Sequence, residues 1–452
     1  MPRTGEVDLR GRAATTVMGA AATLAFIGLS LRFGLPTTAA GFLGLTAFVL
    51  LNLSPKLSLC VFLSAICFVP YWWGIDLFGY VPAASLISLM VFPGALLRAV
   101  RGGNYAVVAV LSIGLFVGLL VALGASIPGH GFVLLAQWVP AFFVGYSLTT
   151  QVGIQFVRDT ITIVFLVVAL LAIVEYLADW NPYFGTAPAT EQYLKLGTLQ
   201  DRGGITRSEG SFAHSIALAN SLALAIPMVL TSRFRPVTQA TVTALIIVAI
   251  FTTFSRSGLV TAGLALAFTL WASHGKISRR TRTTVALGVL ATAAVALPWV
   301  EGVFNAASQE ATRSANHRLR LLELVPYLEA FGTARGYHET AGVFQWFGVV
   351  SIDNAFLRLA VNFGWALGSL FLLAAAWTVF RAVNRKANSP EIALASVMPA
   401  LLTVALITQF GILVWFYMGV AVATTELGRA HMGGLEHEDS REPAFVGQKG
   451  MI

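Results

Sequence analysis

Thr160-Ile-Thr-Ile-Val-Phe-Leu-Val-Val-Ala-Leu-Leu-Ala-Ile-Val-Glu-Tyr-Leu-Ala178 decides the fold. Apart from two threonines and Glu175 near its end, the stretch is apolar on every side. It therefore reads as a helix crossing a bilayer, where about 20 apolar residues match the hydrocarbon thickness. Similar runs recur along the chain, near residues 14–31, 36–53, 57–75, 81–97, 104–125, 131–148, 212–230, 237–254, 257–273, 283–304, 355–380, 391–409 and 411–425. With 57% hydrophobic and 11% charged residues over 452 positions, a soluble surface could not be covered by polar groups. The expected fold class is all-α, a polytopic integral membrane helical bundle of about 12–14 transmembrane helices.

The expected organisation is N-terminal transmembrane helices (1–178), a first long loop (179–211), central helices (212–304), a second long loop with short helices (305–352), C-terminal helices (353–425) and a solvated tail (426–452). Basic residues set the orientation. Arg3, Arg10 and Arg12 precede the first span, and Lys56, Arg98, Arg101, Arg158, Arg233, Arg235, Lys276, Arg279, Arg280, Arg282, Arg381, Arg385 and Lys386 fall in even-numbered connections. Because Lys and Arg accumulate on cytoplasmic loops, both termini are expected in the cytoplasm and both long loops outside. The net charge of +8 is then largely a matter of topology, and no nucleic-acid partner is needed to explain it. No cleavable signal peptide is evident, so the first apolar stretch reads as an uncleaved span. Cys60 and Cys67, seven apart in one span, share a helix face and read as packing residues.

Six arginines oppose this rule: Arg202, Arg207, Arg256, Arg318, Arg320 and Arg335 fall on the side expected to be extracytoplasmic. Guanidiniums hold phosphate and carboxylate oxygens through forked, charge-assisted hydrogen bonds, which points to an anionic ligand on that side. Three stations carry them. The first loop, Asp179 to Ser211, includes Trp180, Asn181, Arg202, Arg207, Glu209 and Gly210. The second, Asn305 to Ile352, holds Arg313, His317, Arg318, Arg320, Glu323, Arg335, His338 and Glu339, with the aromatics Tyr327, Tyr337, Phe344, Trp346 and Phe347. Its segment His317 to Phe331 has leucines in helical spacing, which Pro326 should divide. The third station is Thr252-Thr-Phe-Ser-Arg256-Ser-Gly258, a polar break between two apolar runs. For Arg256 the plain alternative is snorkelling to the interface. For Arg320 it is an ion pair with Glu323, worth roughly half a kcal/mol.

Three stretches resemble the O-antigen ligase and O-antigen polymerase family of polytopic glycosyltransferases. Arg207-Ser-Glu-Gly-Ser-Phe-Ala-His214 is similar to its Arg, Gly, Phe pattern before an Ala-rich span, and Phe254-Ser-Arg256-Ser-Gly258 to its Ser-Arg-x-Gly segment. Ile352-Asp-Asn-Ala-Phe-Leu357-Arg-Leu359, followed by Gly364 and Gly368, resembles its His-Asn or Asp-Asn motif opening a span. The resemblance covers residues 179–380. It departs from the ligases in carrying Asp353 where they usually have His, which favours a polymerase.

The resemblance implies transfer or polymerisation of polyprenyl-diphosphate-linked oligosaccharide repeats for a cell-surface polysaccharide, in a bacterial cytoplasmic membrane, with the active face extracytoplasmic. The implied partners are the lipid-linked donor, a glycan acceptor, the bilayer and polysaccharide-assembly membrane proteins. No metal or cofactor is expected. Arg207, Arg256 and Arg318, with Arg320 and Arg335 behind them, are the expected diphosphate ligands. Asp353 is the expected general base, oriented by Asn354, provided burial raises its pKa.

Asp353 reads equally as the N-cap of its span. His317, His338 and His214 are alternative bases or glycan contacts, each also explained as a loop or helix-terminal histidine. Tyr337, Trp346 and Phe347 suit stacking on sugars or anchoring at the interface. Gly364 and Gly368 suit close helix packing. The rival is a polytopic transporter or a flippase of lipid-linked sugars, for which no internal repeat is found and Glu175 is the nearest intramembrane carboxylate.

Overall fold

The computed structural model describes residues 35–76, 79–185, 201–202, 205–272, 279–280, 282–284, 286–288, 308–340 and 343–439. It is an all-α polytopic membrane bundle whose strands are confined to three two-stranded antiparallel hairpins. The helices are α1 (Leu35–Leu53), α2 (Pro55–Phe68), α3 (Ala83–Arg101), α4 (Tyr105–Ala122), α5 (Pro128–Val152), α6 (Ile154–Ala178) and α7 (Ser215–Leu230). They continue with α8 (Pro236–Thr252), α9 (Arg256–Ala272), α10 (Ser308–Glu323), α11 (Ala355–Phe363), α12 (Trp365–Val383), α13 (Ser389–Leu401) and α14 (Thr408–Asp439). Met1–Ser58 and Leu59–Ile452 form separate compact units. In the first, the Ser58 hydroxyl bonds the Leu51 carbonyl, and Leu43, Leu45 and Leu53 are exposed as lipid-facing residues would be.

Among the described residues six helices are long and apolar enough to span a membrane, or seven if α1 and α2 together count as one span. The expected count of about 12–14 falls to this number for identifiable reasons. The stretches 14–31 and most of 283–304 lie outside the described residues, as do Lys195, Gly203, Gly204, Lys276 and the tail from 440. The run 355–380 breaks at Gly364, whose φ is +101° and whose added Cβ would lie 2.3 Å from the Ala330 carbonyl oxygen. Gly364 thus serves a turn, while Gly368 packs α12 on α11, its Cβ site 2.7 Å from that of Ala360. The run 391–409 shortens to α13, and the last helix continues beyond residue 425 to Asp439, into the expected tail.

Helices α7, α8 and α9 have 16, 17 and 17 residues, about 25 Å against roughly 30 Å of hydrocarbon. Helices α7 and α9 begin, and α8 ends, at one shared end. Every residue of α7 except Ile216 is buried, and the helix packs against α6, α8, α9 and α13 as the axis of the bundle. The tightest crossing, α5 on α14, is made by glycines: a Cβ on Gly145 would sit 2.2 Å from the Phe416 carbonyl oxygen, and one on Gly419 2.0 Å from that of Phe142.

The second loop has its own apolar core of Leu321, Ala334, Trp346, Val349 and Ile352, continued into α11 by Leu357 and Val361. Backbone bonds from Gly332 to Phe363 (3.0 Å) and from Ala334 to Val361 (2.8 Å) satisfy carbonyls at the end of α11. Helix α10 ends at Glu323, and Pro326 lies in a single 3-10 turn, Val325–Tyr327, so the expected division occurs. A hairpin of β1 (Tyr337–Thr340) and β2 (Val343–Trp346) follows in the same loop.

Candidate functional site

A cavity of about 610 Å³ opens at the shared end of α7, α8 and α9. It gathers Arg207 from the first loop, Arg256 from the α8–α9 turn, Arg318 from α10, and Asp353 and Arg358 from the start of α11. His214, Ser255, Ser257, Ser351 and the α13–α14 connection complete the lining. Four guanidiniums thus face a single carboxylate. Arg318 and Arg358 donate no side-chain hydrogen bond to any of the described residues.

Three helix N-termini reach the same space, and each is capped from its edge. Ser255 Oγ accepts from the Gly258 amide (3.2 Å) at the start of α9. His214 Nδ1 accepts from the Ile216 amide (3.1 Å) at α7, and Asn354 Oδ1 from the Phe356 and Leu357 amides (3.0 and 2.9 Å) at α11. Helix N-termini carry a partial positive charge, so their convergence adds to the guanidiniums in favouring an anion. Three non-glycine residues are in left-handed conformation here: Thr408 (φ 46°) in the cavity lining, and Ala213 (φ 59°) and Phe254 (φ 47°), which immediately precede the lining residues His214 and Ser255. Each such residue costs about 1–2 kcal/mol. Their clustering is of the kind found where surrounding structure fixes a functional site.

The Arg207 segment is pinned from below. Arg207 Nε donates to the Thr253 carbonyl (2.8 Å), and Ser208 Oγ to that of Ala172 (2.9 Å). Glu175 accepts from the Glu209 amide (3.1 Å), the Gly210 amide (2.8 Å) and Asn181 Nδ2 (2.6 Å). The one carboxylate that suggested a transport pathway is thus consumed in fixing the first loop. On the α9 side, Thr261 Oγ1 donates to Asn220 Oδ1 (2.8 Å) and Asn220 Nδ2 to Ser257 Oγ (3.2 Å), which positions a hydroxyl at the cavity wall.

His214 is half-buried, and that burial, reinforced by the Arg207 guanidinium and opposed by Asp353, pushes its pKa down to about 4. The neutral ring accepts at Nδ1 from the Ile216 amide, which leaves Nε2–H to donate to a ligand. Asp353 is 44% exposed, so the burial expected of it is not found; it accepts from the Ser351 hydroxyl, with His317 Nε2 3.9 Å from its other oxygen. The helix cap expected of Asp353 is made by Asn354, whose Oδ1 is committed to that role and not to orienting the carboxylate.

The remaining expected residues lie elsewhere. Arg335 pairs with Glu329, and the exposed Arg320 is absent from the cavity lining and makes no ion pair with Glu323. His338 is exposed on the hairpin, with Nδ1 3.0 Å from the Gly336 carbonyl oxygen. Trp346 is fully buried and donates to the Arg335 carbonyl (2.9 Å), so it holds the loop core and offers no face to a sugar. Tyr337 packs on Phe344 and His130, outside the cavity lining. Arg202 ends a two-residue strand, Asp201–Arg202, and its side chain lies outside the described residues.

Arg358 was not singled out by its sequence context, although an arginine in the first turn of an apolar span is itself a signal of function. Ser255 and Ser257 flank Arg256 in the polar break and were legible only as part of it. Compared with known protein families, the chain matches no family model, and no curated protein matches it.

Proposed function

We propose that this chain is a membrane glycosyltransferase that moves a glycan from a polyprenyl diphosphate onto a hydroxyl of an acceptor glycan, joining repeat units at the extracytoplasmic face of a bacterial cytoplasmic membrane. The observation that carries the reading is the convergence of four arginines and three helix N-termini on one cavity that holds a single carboxylate. That set suits a leaving group with dense negative charge. In the proposed step the acceptor oxygen bonds to the anomeric carbon, and the bond from that carbon to the diphosphate oxygen breaks. The bonding pair leaves on the diphosphate, where Arg207, Arg256, Arg318 and Arg358 neutralise it, and the hydroxyl proton passes to Asp353. Neutral His214 donates to a diphosphate or sugar oxygen. Polymerisation is preferred to ligation because Asp353 stands where the similar ligases carry histidine.

The test is a purified, reconstituted protein given a lipid-diphosphate repeat unit, with products resolved as a ladder. Arg358→Ala should lower kcat/KM roughly ten- to a hundredfold, the loss of one or two charge-assisted hydrogen bonds. Asp353→Asn should lower kcat by about a hundredfold or more. A ladder indifferent to both substitutions defeats the assignment, and passage of the lipid across the bilayer without new glycosidic bonds would favour the flippase.

A further inference from the structure

Away from the arginine cavity, α4 and α12 stand apart along most of their length. Two apolar cavities fill the gap, one of about 510 Å³ and one of about 350 Å³, and they share Ala109, Ile113 and Leu370 in their walls. Together they form a single furrow, floored by Phe142 of α5 and by Trp415, Met418 and Val422 along one face of α14. From Ala366 to Arg381 the α12 wall runs about 22 Å, against roughly 15 Å for the hydrocarbon of one leaflet.

Only one end of the furrow is polar, the end remote from the arginine cavity. There Arg381 is occupied by Glu391 (3.0 Å). Glu426 accepts from Asn104 Nδ2 (3.0 Å) and Tyr146 Oη (2.5 Å), both on Oε2, which leaves Oε1 without a partner among the described residues. Arg429, one turn further along α14, is exposed and likewise makes no hydrogen bond or ion pair among them. The mouth therefore presents one open guanidinium and one open carboxylate oxygen above an apolar trough.

We infer that this furrow is a binding site for a phospholipid with an ammonium head group, of the phosphatidylethanolamine class. An acyl chain lies along Ala109, Ile113 and Leu370, the phosphate meets Arg429, and the primary ammonium donates to Glu426 Oε1. Charge complementarity selects this occupant. The phosphate of phosphatidylglycerol could meet Arg429 equally well, but its glycerol offers Glu426 only a neutral hydroxyl in place of a cation, and a choline head has no N–H to donate. The site is independent of the glycosyl transfer proposed above and stands or falls separately from it.

Native mass spectrometry of the full chain tests it, after equilibration with equal amounts of phosphatidylethanolamine, phosphatidylglycerol and phosphatidylcholine of matched chains. The expected result is a retained ethanolamine lipid, favoured roughly tenfold over the other two, the worth of one charge-assisted hydrogen bond. Glu426→Gln should reduce that preference, Arg429→Ala should weaken retention of all three lipids through their shared phosphate, and Ala109→Trp should displace the lipid altogether. Glu426→Gln nearly preserves shape, so its outcome decides the matter even if Ala109→Trp folds poorly. Equal retention of the three lipids, a preference for phosphatidylglycerol, selectivity unmoved by Glu426→Gln, or retention unmoved by Arg429→Ala overturns the inference. So does a second protein chain cross-linked through a photoreactive group placed at Ile113.

Discussion

His214 carries the most specific consequence of the site at the scale of one residue. Its folded pKa of about 4 lies below the ordinary histidine value near 6.5, so the unfolded chain binds the extra proton first as pH falls. Stability from this residue is fully present above pH 6.5, declines between about 6.5 and 4, and is then exhausted, for a total of roughly 3 kcal/mol. The unfolding midpoint of the detergent-solubilised protein should drop across that window. In His214→Asn, which can still cap α7 but cannot titrate, the part of the slope due to this residue should vanish; an identical slope would refute the depressed pKa. Among arginines, the sequence distinguished a side of the membrane but not a face of a helix. Arg318 and Arg320 lie two residues apart, about 200° around α10, so only one of them can turn inward. Arg335 is drawn off by Glu329, six residues away, a partner that no helical spacing announces. Arg358 was hidden by the reverse error, because attention to loops passes over a charge inside an apolar run.

Helices α7 and α9 meet where Gly258 faces Ala219, and the contact leaves no room for a methyl group. A Cβ on Gly258 would lie 2.3 Å from that of Ala219, whereas the next nearest atoms are at 3.4 Å. Gly258→Ala must push α9 outward and carry Arg256 and Ser257 with it, at a cost of about 1–3 kcal/mol. Ala219→Gly removes the opposing methyl, so the double variant should recover most of the lost thermal stability. Failure of that rescue would mean that Gly258 is needed for something other than this crossing. The glycine was legible in the sequence as part of a polar break, but its partner belongs to another helix and carries no mark of its own. Gly364 illustrates a related limit. Its four-residue spacing to Gly368 suggested helix packing, and the backbone conformation that makes it a turn depends on Ala330, which approaches from the second loop.

The whole bundle separates its charges by end. Arg158 bonds Ser389 Oγ (3.0 Å), Arg233 pairs with Asp159 (2.7 Å), and Arg385 sits 3.8 Å from the centre of the Trp271 ring, all at the end opposite the arginine cavity. Basic residues at that end would suit the insertion bias toward cytoplasmic Lys and Arg, while those of the cavity would oppose it. What the loops did not reveal is convergence: the starts of α7, α9 and α11 bring residues from separate segments to one cavity. Under the proposed function the arginine end must face outward, because glycan chains joined there are destined for the cell surface. With Cys60 and Cys67 replaced by serine, Glu339→Cys on the hairpin should react with a membrane-impermeant maleimide in intact cells. Lys386→Cys should react only after permeabilisation. The reverse pattern would turn the cavity toward the cytoplasm. The arginines would then no longer violate the charge rule, and the case for a lipid diphosphate held outside would fall with that orientation.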